Sequence, residues 1–379
     1  MAQTLTRSLA RTAASPRRRG QRLVGLDVAR CLALLGMVST HVLSPVTPEG
    51  EISWTQDLAG GRASALFAVL AGVSIALLSG RRTPPTGRAR WVAVRALGVR
   101  ALLIAAVGLT LGMLDSGLAV ILTYYGVMFL LALPFIGLGA RWLALLAAAW
   151  LVVVPVVSHQ LRPMLPDARG DNPAWGQLAD PVPMLWELLL TGYYPALPWL
   201  AYLFAGMAVG RSELGRRTVQ AGLLVGGVAL AVCATRVSDQ LTAGRFSTQE
   251  LYEAGFGMYG TTPAGGSADY LLLVAPHSST PFDLAQTIGS SLAVIGGCLL
   301  LLSWLPSPGV RFVAVLFGAG TMTLTLYSLH VWMRTDGVWP PEEEWAMSWY
   351  VLILGVIGAV FAAVRVRGPL EALVARIAR

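Results

Sequence analysis

Charge is scarce in this sequence. Only 13% of its 379 residues are Asp, Glu, Lys or Arg, well below the roughly one-quarter of a soluble domain, whereas 55% are hydrophobic. That balance, with a mean hydropathy of +0.64, excludes water as the main solvent of the fold. Cysteine is rare as well. Cys31, Cys233 and Cys298 each sit in an apolar run, where a free thiol behaves as a small hydrophobe, so a disulfide framework is not expected. Lysine is absent and all 28 basic residues are Arg, a bias that fits high-GC coding and carries no mechanistic weight. There is no HExxH, no CxxC and no dense carboxylate cluster beyond Glu342 to Glu344, which reads as a solvated face. No metal site is therefore expected. GxG matches fall in apolar helices, where small residues serve close packing, and no repeat is strong enough to indicate an inverted-repeat transporter. Residues 1–22, MAQTLTRSLARTAASPRRRGQR, are basic without an apolar core of their own. They read as a disordered cytoplasmic tail, without a cleaved signal peptide.

What the sequence does have is apolar runs of about 18 to 22 residues, the length that crosses ~30 Å of hydrocarbon at 1.5 Å per residue. They predict spans at 23–43, 62–79, 92–112, 117–136, 142–157, 190–210, 219–235, 284–304, 311–332 and 346–366. The expected fold class is all-α: a polytopic integral membrane protein of about ten transmembrane helices, with one membrane domain over 23–366. The connections 80–91, 137–141, 211–218 and 305–310 and the tail 367–379 are short and mostly rich in Arg, which assigns them to the cytoplasm together with both termini. The longer segments 44–61, 158–189, 236–283 and 333–345 hold most of the acidic residues and are assigned to the opposite side of a plasma (inner) membrane. Segment 236–283 is long enough to form a lid over an outward-facing pocket. The net charge of +8 is spread among loops, not gathered on one surface, so nucleic acid is not an expected partner.

Ionisable groups inside an apolar span cost several kcal/mol each and are site candidates by default. The first span, RLVGLDVARCLALLGMVSTHVL, has three: Asp27 and Arg30 one turn apart and able to pair, and His41 three turns further, about 16 Å along the axis. Neutral imidazole is the side chain best matched to removing a proton at neutral pH; the bland alternative for His41 is an interfacial histidine bonded to backbone or water. His330 is expected at the outer end of the ninth span, at the depth of His41, and His277 shares the segment PHSSTPFD with Asp283. Each is either an orienting or binding group or an ordinary loop or belt residue. His159 begins a polar loop. Arg62 opens the second span on the His41 side, either as an anion-stabilising group or snorkelling. Tyr124, Tyr125, Tyr193, Tyr194 and Trp199 are placed either to stack on a sugar ring or to form an interfacial belt.

The spacing Arg30, ten residues, His41 resembles the first helix of membrane acyltransferases of the acyltransferase-3 type. The segments GLDVARCLALLGM, GRASALFAVLAGVSIAL, YYPALPWLAYLFAGMAVGR and GTMTLTLYSLHVW look still more like the bacterial relatives of heparan-alpha-glucosaminide N-acetyltransferase. The resemblance covers most of residues 22–366. It implies a transmembrane acyltransferase-like bundle that passes an acyl group, most simply acetyl, from cytoplasmic acetyl-CoA or another acyl-CoA to a hydroxyl or amine of an extracytoplasmic glycan or glycolipid. His41 would be the general base, with Asp27 and Arg30 supporting it. Arg62, His277, Asp283, His330 and Tyr125 would support or bind the acceptor. Human-type N-acetyltransferases carry the reactive His in the loop after the first helix, whereas loop 44–61 has none, leaving His41 as the nearby candidate. Coenzyme A phosphates would call on cytoplasmic arginines, of which Arg95 and Arg100 extend into the third span and Arg211 flanks the sixth. Membrane lipids are implied partners and a homodimer is left open. The rival reading is a multi-pass transporter or flippase using Asp27, Arg30 and His41 as a relay.

Overall fold

A computed structural model describes residues 23–340 and 345–378; the tail 1–22 and the run Glu342 to Glu344 lie outside the described residues. Helix α1 (Val24–Val42) is followed by a short α2 (Trp54–Ala59) leading into α3 (Arg62–Leu78), then α4 (Gly87–Leu111), α5 (Leu122–Ala132) and α6 (Ala140–Leu161). The chain continues through α7 (Pro181–Trp186), a π-turn at Glu187–Thr191, α8 (Ala196–Gly210), α9 (Arg217–Thr242), the short α10 (Thr248–Gly255) and α11 (Pro281–Trp304). Helices α12 (Ser307–Leu316) and α13 (Thr323–Met333) flank a 3₁₀ turn, and α14 (Ala346–Ala363) and α15 (Pro369–Ile377) complete the chain. The protein is an all-α polytopic membrane protein.

Among the described residues seven segments are long and apolar enough to cross a membrane, and α7 to α8, bent by 51°, makes an eighth if taken as one span. The two remaining expected spans are shorter than the hydropathy suggested. Within 117–136 the helix starts only at Leu122, because the preceding stretch is a turn around Ser116 and Gly117. Span 311–332 is broken at Gly318–Thr321. There a Cβ on Gly320 would overlap the carbonyl oxygen of Asp27, and one on Gly318 would overlap that of Gly358. Backbone of the broken span therefore lies directly against α1 and α14. Interrupted helices at membrane depth are tolerated where protein covers the freed backbone, as α1 does here.

Small residues set the other close contacts. Gly72 and Gly206 let α3 and α8 meet backbone to backbone, and Gly227 and Gly289 do the same for α9 and α11. The long loops carry local structure. Ser247 and Glu250 form a reciprocal capping box that starts α10, and Thr280 caps α11, with Pro281 at its first position. Segment 367–379, expected as a tail, folds in part as α15. Its Glu371 carboxylate accepts from the Leu324 and Thr325 amides at 2.8 and 3.1 Å, capping α13.

Candidate functional site

The end of the bundle that carries the last turn of α1 is hollowed into a cavity of about 910 Å³. Its walls come from loops and helix ends that are distant in sequence, and include His41, Tyr124, Tyr193, Tyr194, His277 and Arg334. A deeper cavity of about 150 Å³ lies among α1, α3, α4, α5 and α13, lined by Arg30, Ser74, Tyr125 and Leu324 with apolar neighbours.

His41 ends α1, and its Nδ1 stands 3.0 Å from Nε2 of His330 on α13, the two ring planes lying within 3° of each other. One proton is shared across that contact. If His41 donates it through Nδ1, its Nε2 carries the free lone pair, the form a general base needs. His330 is fully buried and meets the ring of Tyr350 edge-on; its Nδ1 has no hydrogen-bond partner among the described residues. Arg334, one turn beyond His330 at the end of α13, lines the cavity, and its charge acts on both imidazoles. Reading the sequence missed this residue; the signal available was its spacing of four from His330 on one helical face.

His277 reaches the same cavity by a different route. It sits in the turn that precedes α11 with φ of 58°, and Ser279 follows with φ of 53°, the left-handed region that non-glycine residues rarely adopt. Several bonds hold the turn. Ser279 donates through its hydroxyl to the Gly260 carbonyl at 2.7 Å and accepts from Trp199 Nε1 at 3.2 Å, and Thr280 donates to the Leu273 carbonyl at 2.6 Å. Asp283, buried in the first turn of α11, accepts from the Ser279 amide at 3.0 Å. It thus braces the turn, while His277 Nδ1 is buried without a hydrogen-bond partner among the described residues. The ring lies parallel to Trp199 and against Tyr193, with centroids 6.4 and 4.8 Å away. Burial, with His41 adding to it, pushes the His277 pKa down to about 4.

The remaining expected residues separate by location. Arg30 pairs with Asp27 at 2.8 Å and donates to Ser74 Oγ on α3 at 3.0 Å, at the wall of the deeper cavity. Tyr125 lines that cavity too and donates to the Ser64 carbonyl at 3.2 Å; its neighbour Tyr124 is the one on the large cavity. Arg62 donates to the Asp57 carbonyl at the start of α3, outside the cavity walls. Arg211 is buried, with its guanidinium committed to the carbonyls of Ala76, Ser79, Arg81 and Ile136 and to the Ser79 hydroxyl. Arg95 is exposed, whereas Arg100 is half-buried and feels the like charge of Arg367. His159 bonds Thr262 Oγ1 at 3.1 Å, away from the cavity walls. Among the described residues no group of three or more His, Cys, Asp or Glu is arranged to hold a metal ion.

The family model for heparan-alpha-glucosaminide N-acetyltransferase, catalytic, matches residues 22–233. No curated protein matches the chain. The matched stretch includes Asp27, Arg30, His41 and Tyr124; His277, His330 and Arg334 come from beyond it.

Proposed function

The chain belongs to the heparan-alpha-glucosaminide N-acetyltransferase catalytic family and is a membrane acetyltransferase; from that premise we propose that it moves acetyl from acetyl-CoA, entering from the cytoplasm, to a hydroxyl or amine of an extracytoplasmic glycan or glycolipid. Both termini are then cytoplasmic, in the plasma (inner) membrane, and the large cavity opens outward.

The observation that carries this reading is the His41 pair. His41 lines a cavity large enough for a glycan end, and with Nδ1 donating to His330 its Nε2 would carry the free lone pair. The acceptor oxygen or nitrogen attacks the thioester carbonyl as His41 Nε2 removes its proton, and the C=O electron pair moves onto oxygen. Arg334, on the cavity wall and with its charge acting on His41, would meet that developing charge, the part the sequence had suggested for Arg62. Collapse restores C=O, breaks the C–S bond and releases CoA thiolate, which takes up a proton. His330 acts through His41 as a positioning residue, and Asp27, tied to Arg30, keeps that guanidinium at the deeper cavity through which the acyl arm would pass. Of the expected phosphate ligands, Arg100 beside Arg367 suits an anion best, since a phosphate would relieve two facing cations.

The test is free-CoA release from acetyl-CoA by purified protein in lipid nanodiscs, with and without an extract of envelope glycans. Release that depends on the extract is expected. A transporter or flippase would release none, and that outcome would replace the present reading.

A further inference from the structure

A second group on the large cavity has no role in the reaction just described. Ser116, 2% exposed, lines it with a hydroxyl that has no hydrogen-bond partner among the described residues. Gln177 lines it with an unpartnered Oε1, its amide nitrogen being directed to the Asn172 carbonyl at 3.4 Å. The two supporting segments are fixed to each other. Asn172 accepts from the Val120 amide at 2.7 Å and donates to the Leu118 carbonyl at 2.6 Å, so the unpartnered atoms sit on a locked wall.

Near Tyr124, another residue on this cavity, stands Glu187, 1% exposed, with neither carboxylate oxygen partnered among the described residues. It begins the π-turn, a distortion frequent at functional sites. A Cβ placed on Gly192 would meet the Glu187 Cγ at 3.0 Å and also the hydroxyl of Tyr124, so Glu187 and this cavity-lining ring share one wall. Asp171, also on the cavity, and Tyr259 act on Glu187 or feel its charge. The nearby cation, Arg169, is paired with Asp180 at 2.9 Å.

Apart from the Ser116 hydroxyl, which can also donate, the unpartnered atoms here are acceptors. A buried polar atom without a partner is costly, so the ligand that fits must bring donors. Sugar hydroxyls do so, and Tyr193 and Tyr259 offer ring faces beside them. The cavity also lies near the top of the usual range of about 300 to 1,000 Å³ for small-molecule sites, more than one ring needs. We infer that Ser116 and Gln177, with the buried Glu187 behind the Tyr124 ring, form a hydroxyl-binding subsite for a second sugar ring of the acceptor, beside the ring that receives acetyl. The inference rests on the acceptor being a glycan, as proposed above.

Calorimetric titration of the protein in nanodiscs with glucosamine and with its β-1,4-linked trimer tests it without any donor present. The trimer should bind at least tenfold more tightly than the monomer. The double variant Ser116→Ala, Gln177→Leu should lose that advantage while keeping its affinity for the monomer. A wild-type protein without a length advantage, or an advantage that survives in the double variant, overturns the subsite. Free-CoA release in the same nanodiscs, on adding acetyl-CoA and trimer, reports separately on the reaction. Length-dependent binding without release removes the acyl transfer and leaves the subsite standing.

Discussion

Two imidazoles face one cavity from regions built on opposite principles. His41 ends a regular helix whose depth is set by an apolar run, and a second histidine holds its Nδ1 at 3.0 Å. His277 sits in a turn of left-handed residues, pressed against Trp199 and Tyr193 with its own Nδ1 unpartnered among the described residues. The difference teaches that position on a cavity does not by itself give a histidine a job. A base needs a partner that can set its tautomer and a place on the cavity, and His41, bonded to His330, has both. A ring packed against aromatics by a strained backbone is better suited to shaping the wall.

The largest expected effect follows from that contrast. His41→Ala should lower acetyl transfer by about 10² to 10⁴-fold with acetyl-CoA affinity kept, the usual cost of losing a general base. His41→Gln should not recover activity, since an amide cannot take the proton. Radiolabelled acetyl transfer to the glycan fraction measures both, and a His277→Ala protein as inactive as His41→Ala would erase the distinction between the two regions.

Next in size is the partner. His330→Ala should cost about ten- to a hundredfold in turnover, the range seen when a histidine loses the group that orients it. His330→Gln should restore most of it, because its side-chain oxygen can still accept from His41 Nδ1. Recovery by Gln separates orientation from packing. If both variants lose activity equally, His330 merely fills space between α1 and α14.

How much of this was legible in the sequence depends on which force fixes each part. Burial of apolar length is a local property, so the helices appear near where hydropathy puts them, and Asp27, Arg30 and His41 are visible as ionisable groups in one span. The breaks were not legible. Gly318 and Gly320 read as small residues in an apolar run, and only the approach of the Asp27 and Gly358 carbonyls explains why helix stops there. Pairing was partly legible. Equal depth puts His41 and His330 at one level, whereas their 289-residue separation hides which rotamers bring the nitrogens together. Arg211 shows the opposite case, since it reads as a loop cation and becomes the clamp that gathers the end of α3 and the Ile136 carbonyl. The C-terminal segment likewise carries too few residues to predict docking, which Glu371 achieves by capping α13.

The smallest effect on turnover, and the most specific to the second region, concerns His277. The folded protein holds it neutral, with a pKa of about 4 against an ordinary 6.5, chiefly through burial. The unfolded chain binds that proton as pH falls through 6.5, while the folded chain resists until about 4. Folding stability contributed by the neutral ring is therefore intact above 6.5, declines as pH drops below it, and reaches its floor near 4, a change of about 3 kcal/mol if this group acts alone. His277→Gln removes the titration and keeps a polar side chain of similar length, so its stability should fall less steeply over the same window. At pH 7.5 its acetyl transfer should stay within about tenfold of wild type, below the roughly 10² to 10⁴-fold that losing a general base costs. Intrinsic-fluorescence unfolding of both proteins in detergent, from pH 7.5 to 4, measures the two slopes. Parallel slopes would mean that His277 is solvated or protonated in the folded state, and the contrast between a wall-forming and a proton-accepting histidine would then have to be drawn elsewhere.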